Sequence, residues 1–128
     1  MMKIRRPDEA RRFVTSDDSE VVEVFHPDRE NLPDGMACSI AHARVAAGSA
    51  TAPHSLATST EVYWILSGRG QMHIDAETSP VEPGDAVLIP PGSVQWIETA
   101  GREDLVFLCV VTPPWKAGDD CRRTAAIP

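Results

Sequence analysis

Hydrophobic positions in this chain fall in short runs and alternations rather than at helical spacing. Seven such stretches stand out: Glu20 to Phe25, Met36 to Val45, Glu61 to Leu66, Gln71 to Asp75, Ala86 to Ile89, Val94 to Glu98 and Leu105 to Val111. Short apolar or alternating runs of this kind are the mark of β-strands, so each stretch predicts one. Turn-forming clusters separate them, among them His26-Pro27-Asp28, Ala47-Gly48-Ser49, Ser67-Gly68-Arg69-Gly70, Glu82-Pro83-Gly84-Asp85 and Pro90-Pro91-Gly92. Only Pro7 to Phe13 predicts a helix, because Pro7 suits a first helical turn and Asp8 and Glu9 complement the helix dipole. Strands without crossover helices need two sheets packed face to face, or a closed roll, to bury their inner faces. The expected class is all-β, a jelly-roll barrel, with a short N-terminal helix.

A length of 128 residues fits one domain. Its expected parts are an N-terminal arm and first strand over 1–35, a barrel over 36–112, and a tail over 113–128 that wraps the surface or stays partly mobile. A chain of this size buries roughly two-thirds of the surface its unfolded form exposes, enough for a core without staples. Cys38, Cys109 and Cys121 are odd in number and form no CxxC pair, so they read as reduced thiols in a cytoplasmic protein. Cys109, inside the apolar run, reads as a packing residue. No segment approaches the ~20 apolar residues of a membrane span. The basic residues near the start, Lys3, Arg5, Arg6, Arg11 and Arg12, precede no apolar stretch, so no secretory signal is expected. The net charge of −7 works against binding nucleic acid, whose affinity comes mainly from clustered cations.

A few polar residues carry the candidate chemistry. His54 follows Pro53, which pushes the residue before it into extended backbone. Glu61 opens a strand in which alternation places Glu61, Tyr63 and Ile65 on one face and Val62, Trp64 and Leu66 on the other. A carboxylate buried there must bind a cation, pair with His54, or serve as a general acid or base; at a wet strand end it does none of these. Tyr63 shares the face of Glu61 and is placed to hydrogen-bond a substrate. Gln95 groups with Ile97 by alternation and either coordinates a hard cation or simply hydrogen-bonds in a pocket. His42 and His73 lie on neighbouring strands, and alternation alone does not say which of their faces is inner.

The spacing of these residues resembles the paired signature of the cupin family. Gly48 is followed after five residues by His54, then by Glu61, and after six more by Gly68. Gly84 is followed after five residues by Pro90, then by Gly92, and after two more residues by Gln95. The fifteen residues between Gly68 and Gly84 match the short spacer of small single-domain members. The resemblance covers roughly Ser39 to Pro114 and implies a double-stranded β-helix. It also implies a metal at the barrel mouth and a homodimer, for which the run Leu105 to Val111 with Trp115 offers a surface to bury.

Two departures bear on function. The family pattern has His-x-His where this chain reads His54, Ser55, Leu56, and a further histidine where it has Gln95. The ligand set that survives is His54, Glu61 and Gln95, expected to hold one divalent ion of iron, manganese, nickel or zinc weakly. No nucleotide cofactor is expected. Two functions follow from the resemblance. One is a metal-assisted enzyme of isomerase, epimerase or dioxygenase type acting on a sugar derivative or organic acid, with Glu61 and Tyr63 as catalytic residues. The other is a non-catalytic module that binds or senses a small molecule.

Overall fold

Alternating apolar residues along the chain fold into two facing antiparallel sheets. In the computed structural model the described residues are 2–6, 11–14, 19–29, 32 and 35–123. Among them the first sheet is built from β1 (Arg11–Val14), β2 (Glu20–Phe25), β3 (Ser39–Val45), β5 (Thr60–Ser67), β8 (Ala86–Ile89) and β10 (Leu105–Thr112), in the order β1-β2-β3-β10-β5-β8. The second contains β4 (His54–Leu56), β6 (Gly70–Ile74), β7 (Glu77–Val81), β9 (Gln95–Thr99) and β11 (Asp120–Arg122), ordered β11-β4-β9-β6-β7. This is the all-β double-stranded β-helix that the sequence predicts.

The expected N-terminal helix is not formed among the described residues. Its residues 7–10 lie outside the described set, and Arg11 to Phe13 belong to β1, paired with β2 from Arg11 opposite Glu23 to Val14 opposite Glu20. Pairing to a sheet edge satisfies backbone donors and acceptors that a single helical turn leaves open, and it overrides a weak local preference. Three further strands carry no alternation to announce them. β4 and β11 have three residues each. β7 is exposed at four of its five positions, and its Pro80 is tolerated because β7 is the sheet's edge. The described part of the tail is not loose: a 3-10 turn over Ala117–Asp119 leads into β11, which pairs with β4.

Between the sheets lies the core, whose largest fully buried side chains include Tyr63, Phe107, Ile65, Ile89, Ile97 and Leu105. The Tyr63 and Phe107 rings pack with centroids 4.4 Å apart. Strand β10 divides its residues cleanly: Leu105, Phe107, Cys109 and Val111 are buried, while Val106, Leu108 and Val110 face outward and are half-buried. The outer face of the first sheet is unusually apolar. Cross-strand registers align Val22, His42, Leu108, Trp64 and Ala86 in one row and Val110, Val62 and Leu88 in the next. Trp64 is 53% exposed and Leu88 64%, where an antiparallel sheet's outer face is ordinarily polar. Trp115 is not part of this face, contrary to expectation; it lies half-buried at the barrel mouth. No helix among the described residues is long and apolar enough to cross a membrane.

Two glycines of the turns differ in what they require. Gly68 has φ +79°, and a Cβ there would overlap the Asp104 carbonyl; Gly84 has φ +94° with open space around it. An L-residue in this region costs about 1–2 kcal/mol from its own backbone. Gly84→Ala should therefore cost about 1 kcal/mol, and Gly68→Ala clearly more, at least about 2 kcal/mol, because a backbone neighbour must move as well. Urea denaturation of the two variants checks this; equal losses would mean that the overlap at Gly68 is relieved without cost.

Candidate functional site

The barrel mouth is assembled by β4, β5 and β10, with β2 and the chain's last described segment closing over it. β4 sits between β11 and β9: Leu56 faces Asp120 across one pairing, and His54 faces Gln95 across the other. Alternation turns His54 and Leu56 to the interior and Ser55 away, where its hydroxyl accepts a hydrogen bond from Arg123 Nε at 2.9 Å. On β5, Glu61 and Tyr63 stand opposite Val111 and Cys109 of β10 and point inward. His54, Leu56, Glu61 and Tyr63 all line one cavity of about 60 Å³.

These side chains are withdrawn from solvent: His54 is 4% exposed, Glu61 7% and Gln95 0%. His54 Nδ1 lies 3.0 Å from the Ala52 carbonyl. A carbonyl only accepts, so Nδ1 carries the proton and the lone pair of the neutral ring is on Nε2. The Tyr63 hydroxyl donates to Gln95 Oε1 at 2.9 Å, which leaves the buried Gln95 Nε2 with no partner among the described residues. Gln95 therefore supports Tyr63 from behind, and its carbonyl oxygen is already engaged.

The remaining histidines of the sequence reading point elsewhere. His42 lies in the outer row of the first sheet, opposite Leu108. His73 lies on the outer face of the second, stacked on Trp96 with ring centroids 3.6 Å apart and held by Thr78 Oγ1 and Glu98 Oε1, each at 3.1 Å. Neither supplies the nitrogen that Leu56 replaces.

Four other residues of the mouth escaped the sequence reading: Glu23, His26, Trp115 and Asp120 all line the cavity. His26 is buried, with Nε2 donating to the Trp115 carbonyl at 2.6 Å and Nδ1 accepting from the Asp28 backbone at 3.2 Å. Trp115 Nε1 donates to Asp120 Oδ2 at 3.0 Å, and Asp120 Oδ1 is buried with no partner among the described residues. The only local signal was the turn cluster around His26; its bond to Trp115 spans 89 residues, a separation that no short-range pattern reports.

A resident metal does not fit this donor set. A catalytic zinc site takes three protein ligands, whereas His54 Nε2 and the Glu61 carboxylate are the strong donors here, Leu56 fills the next position, and Gln95 Oε1 accepts from Tyr63. Among the described residues no three His, Cys, Asp or Glu side chains gather closely enough to hold an ion.

Residues 41–111 match the model of the cupin domain. An uncharacterized protein of Methanocaldococcus jannaschii is 39% identical over 112 residues, which is 88% of this chain and 87% of that protein. The oxalate-binding protein of Thermotoga maritima is 30% identical over 90 residues, 70% of this chain and 74% of the relative. Among solved structures, a predicted oxalate decarboxylase of Thermotoga maritima superposes with a TM-score of 0.71 at 25% identity, covering 87% of this chain and 99% of that one. Pac13, a nucleoside dehydratase from Streptomyces, reaches a TM-score of 0.77 at 15% identity, covering 99% of this chain and 95% of its own, a likeness of fold alone. Spacing, sheet order and relatives agree: the chain belongs to the cupin family, as a small barrel whose mouth keeps His54 and Glu61 and replaces the other two histidines with Leu56 and Gln95.

Proposed function

We propose that this protein binds a small polar molecule in the barrel mouth and moves a proton on it, as an isomerase or epimerase does. The observation that carries the reading is the meeting of His54, Glu61 and Tyr63, all buried, on one cavity. A carboxylate is costly to bury, and such a cost is found at sites that use the group. His54 offers Nε2 as proton acceptor, with Ala52 fixing the tautomer. Glu61 acts as the acid or base beside it, and the Tyr63 hydroxyl, which donates to Gln95, accepts a hydrogen bond from the substrate. The cavity is small beside the ~300 Å³ at which pockets for drug-sized ligands begin, so a nucleoside substrate is not carried over from the Streptomyces enzyme.

A non-catalytic binding module is the second reading, favoured by the likeness to the oxalate-binding protein of Thermotoga maritima. Cupin relatives include enzymes and binding proteins alike. Deuterium exchange separates the two. An enzyme of this type exchanges a carbon-bound hydrogen of its ligand with solvent D₂O, and Glu61→Gln and His54→Asn should each slow that exchange by about 10²-fold or more. A ligand that binds and exchanges no faster with wild type than with either variant would decide for the module.

Metal is assigned a minor place. Members of the family often hold an ion, and an ion here would rest on His54 and Glu61 and be weakly held. Wild-type protein should copurify with well under one equivalent of divalent metal, His54→Ala with less still, and Glu61→Gln likewise. Leu56→His, which adds a nitrogen ligand, should raise affinity by at least about tenfold, or ~1.4 kcal/mol. Elemental analysis checks all four proteins, and equal metal content throughout would place any ion outside the mouth.

The same reading extends to assembly: the chain pairs with a second copy through the outer face of the first sheet. Its rows of Val62, Trp64, Leu88, Leu108 and Val110 form an apolar surface of the kind that marks an interface. Sedimentation of wild-type protein at micromolar concentration should give a dimer, and Trp64→Lys with Leu88→Lys a folded monomer. A monomeric wild type would refute the pairing.

A further inference from the structure

We propose that residues 113–123 form a lid over the barrel mouth, and that a small polar molecule enters the cavity when this segment lifts as one unit. The lifting stands on the geometry of the segment; that a ligand uses it rests on the reading of the cavity as the ligand site. The closed mouth is tight. His54 is 4% exposed, Glu61 7% and Cys109 9%, and the cavity of about 60 Å³ is far below the ~300 Å³ at which ordinary ligand pockets begin. Entry therefore needs a wall to move.

The walls differ in what their movement exposes. β5 and β10 carry Tyr63, Ile65, Leu105 and Phe107, each 2% exposed or less, so moving either strand would open the core to water. The segment 113–123 has no buried residue. It brings two side chains to the cavity, Trp115 and Asp120, and these are bonded to each other, indole N–H to carboxylate, across five residues. They leave together. A segment with little buried apolar surface and a wet outer side is where local opening is least costly.

The fastenings of this segment are polar, and water replaces each of them as it lifts. Ser59 Oγ donates to the Pro113 carbonyl at 2.8 Å, the Trp115 N–H donates to Ser39 Oγ at 2.9 Å, and His26 Nε2 donates to the Trp115 carbonyl at 2.6 Å. Asp119 is the main clasp. Its carboxylate accepts from the Thr58 N–H at 2.9 Å, the Thr58 hydroxyl at 2.8 Å and the Ser59 N–H at 3.2 Å. Beyond it β11 holds β4 through three residue pairs, with Cys121 directly opposite Ser55, and Arg123 bonds the Pro53 carbonyl and Ser55 Oγ. One further observation favours opening: Asp120 Oδ1 is buried with no partner among the described residues, and such an acceptor weighs against the closed state until water reaches it.

Cys109 reports the opening, because it lines the cavity and belongs to no disulfide. In a Cys38→Ser, Cys121→Ser protein it is the only cysteine left, and its alkylation by iodoacetamide, followed by mass spectrometry, measures how often a small polar molecule enters. The expected rate in native buffer is at least tenfold above that protein's own global unfolding rate from urea kinetics. Asp119→Ala, which undoes the clasp, should raise the labelling rate at least tenfold further. Ser55→Cys in a Cys38→Ser protein, oxidised so that the new thiol joins Cys121, should lower it at least tenfold; residues directly opposite in an antiparallel pair stand at a distance that a disulfide spans. Labelling no faster than global unfolding would overturn the lid, and so would a rate that neither the clasp variant nor the oxidised one changes. Labelling that follows both variants upholds the lid even where no ligand exchanges its hydrogen in D₂O, so failure of the lid and failure of the proposed proton transfer are told apart.

Discussion

The register of β10 is the constraint on which the rest of the structure hangs. This strand is paired on both sides, to β3 and to β5, over nearly its whole length. Side chains on a strand alternate between faces, so a slip of one residue would send Phe107, Cys109 and Val111 to the outside and bring Val106, Leu108 and Val110 in. The same register fixes Glu61 opposite Val111 and Tyr63 opposite Cys109. Core packing and the placement of the polar residues are thus one decision: the apolar half of β10 must be buried, and burying it turns Glu61 and Tyr63 toward the cavity.

The mouth is then closed by a segment far along the chain. Residues 113–123 cross it and are held by hydrogen bonds rather than by apolar packing alone. Ser59 donates to the Pro113 carbonyl, Trp115 donates its N–H to Ser39, and His26 takes the Trp115 carbonyl. Asp119 gathers the 57–59 turn: its side chain accepts from Thr58 and Ser59, and its backbone carbonyl accepts from Ala57. Each bond is modest in net worth, about 1 kcal/mol, but together they make this segment a wall. Asp120 is carried to the cavity by that wall, which is why its carboxylate belongs to the site although it sits nine residues after the last residue of the family match.

Polar groups inside a barrel are stable only when each finds a partner, and this mouth meets the condition unevenly. His26 is satisfied at both nitrogens, and Tyr63 and Gln95 satisfy one another on one side each. Gln95 Nε2 and Asp120 Oδ1 are left without a partner among the described residues. Leu56 lies among them as an apolar neighbour, removing a ligand nitrogen and lowering the polarity around Glu61. The result is a small cup with apolar walls.

The sequence by itself determined the fold class, because alternation and turn residues are local and each strand of β2, β3, β5, β6, β8, β9 and β10 carries its own period. It also determined that His54, Glu61 and Gln95 sit at matched spacings, since the glycine turns that frame them are local too. What it did not decide was which faces look inward, and so His42 and His73 stayed open until the sheets closed and put both outside. Strands β4, β7 and β11 were too short or too polar to announce themselves and exist because a neighbour pairs with them. The same holds for Arg11 to Phe13, helical by local signals and strand by pairing. Glu23 and His26 are brought to the wall that carries Trp115 and Asp120 by contacts such as the His26–Trp115 bond, which spans 89 residues, and no local pattern encodes such a meeting. Tertiary structure decided the chemistry of the mouth because burial and charge there depend on which distant strands share one wall.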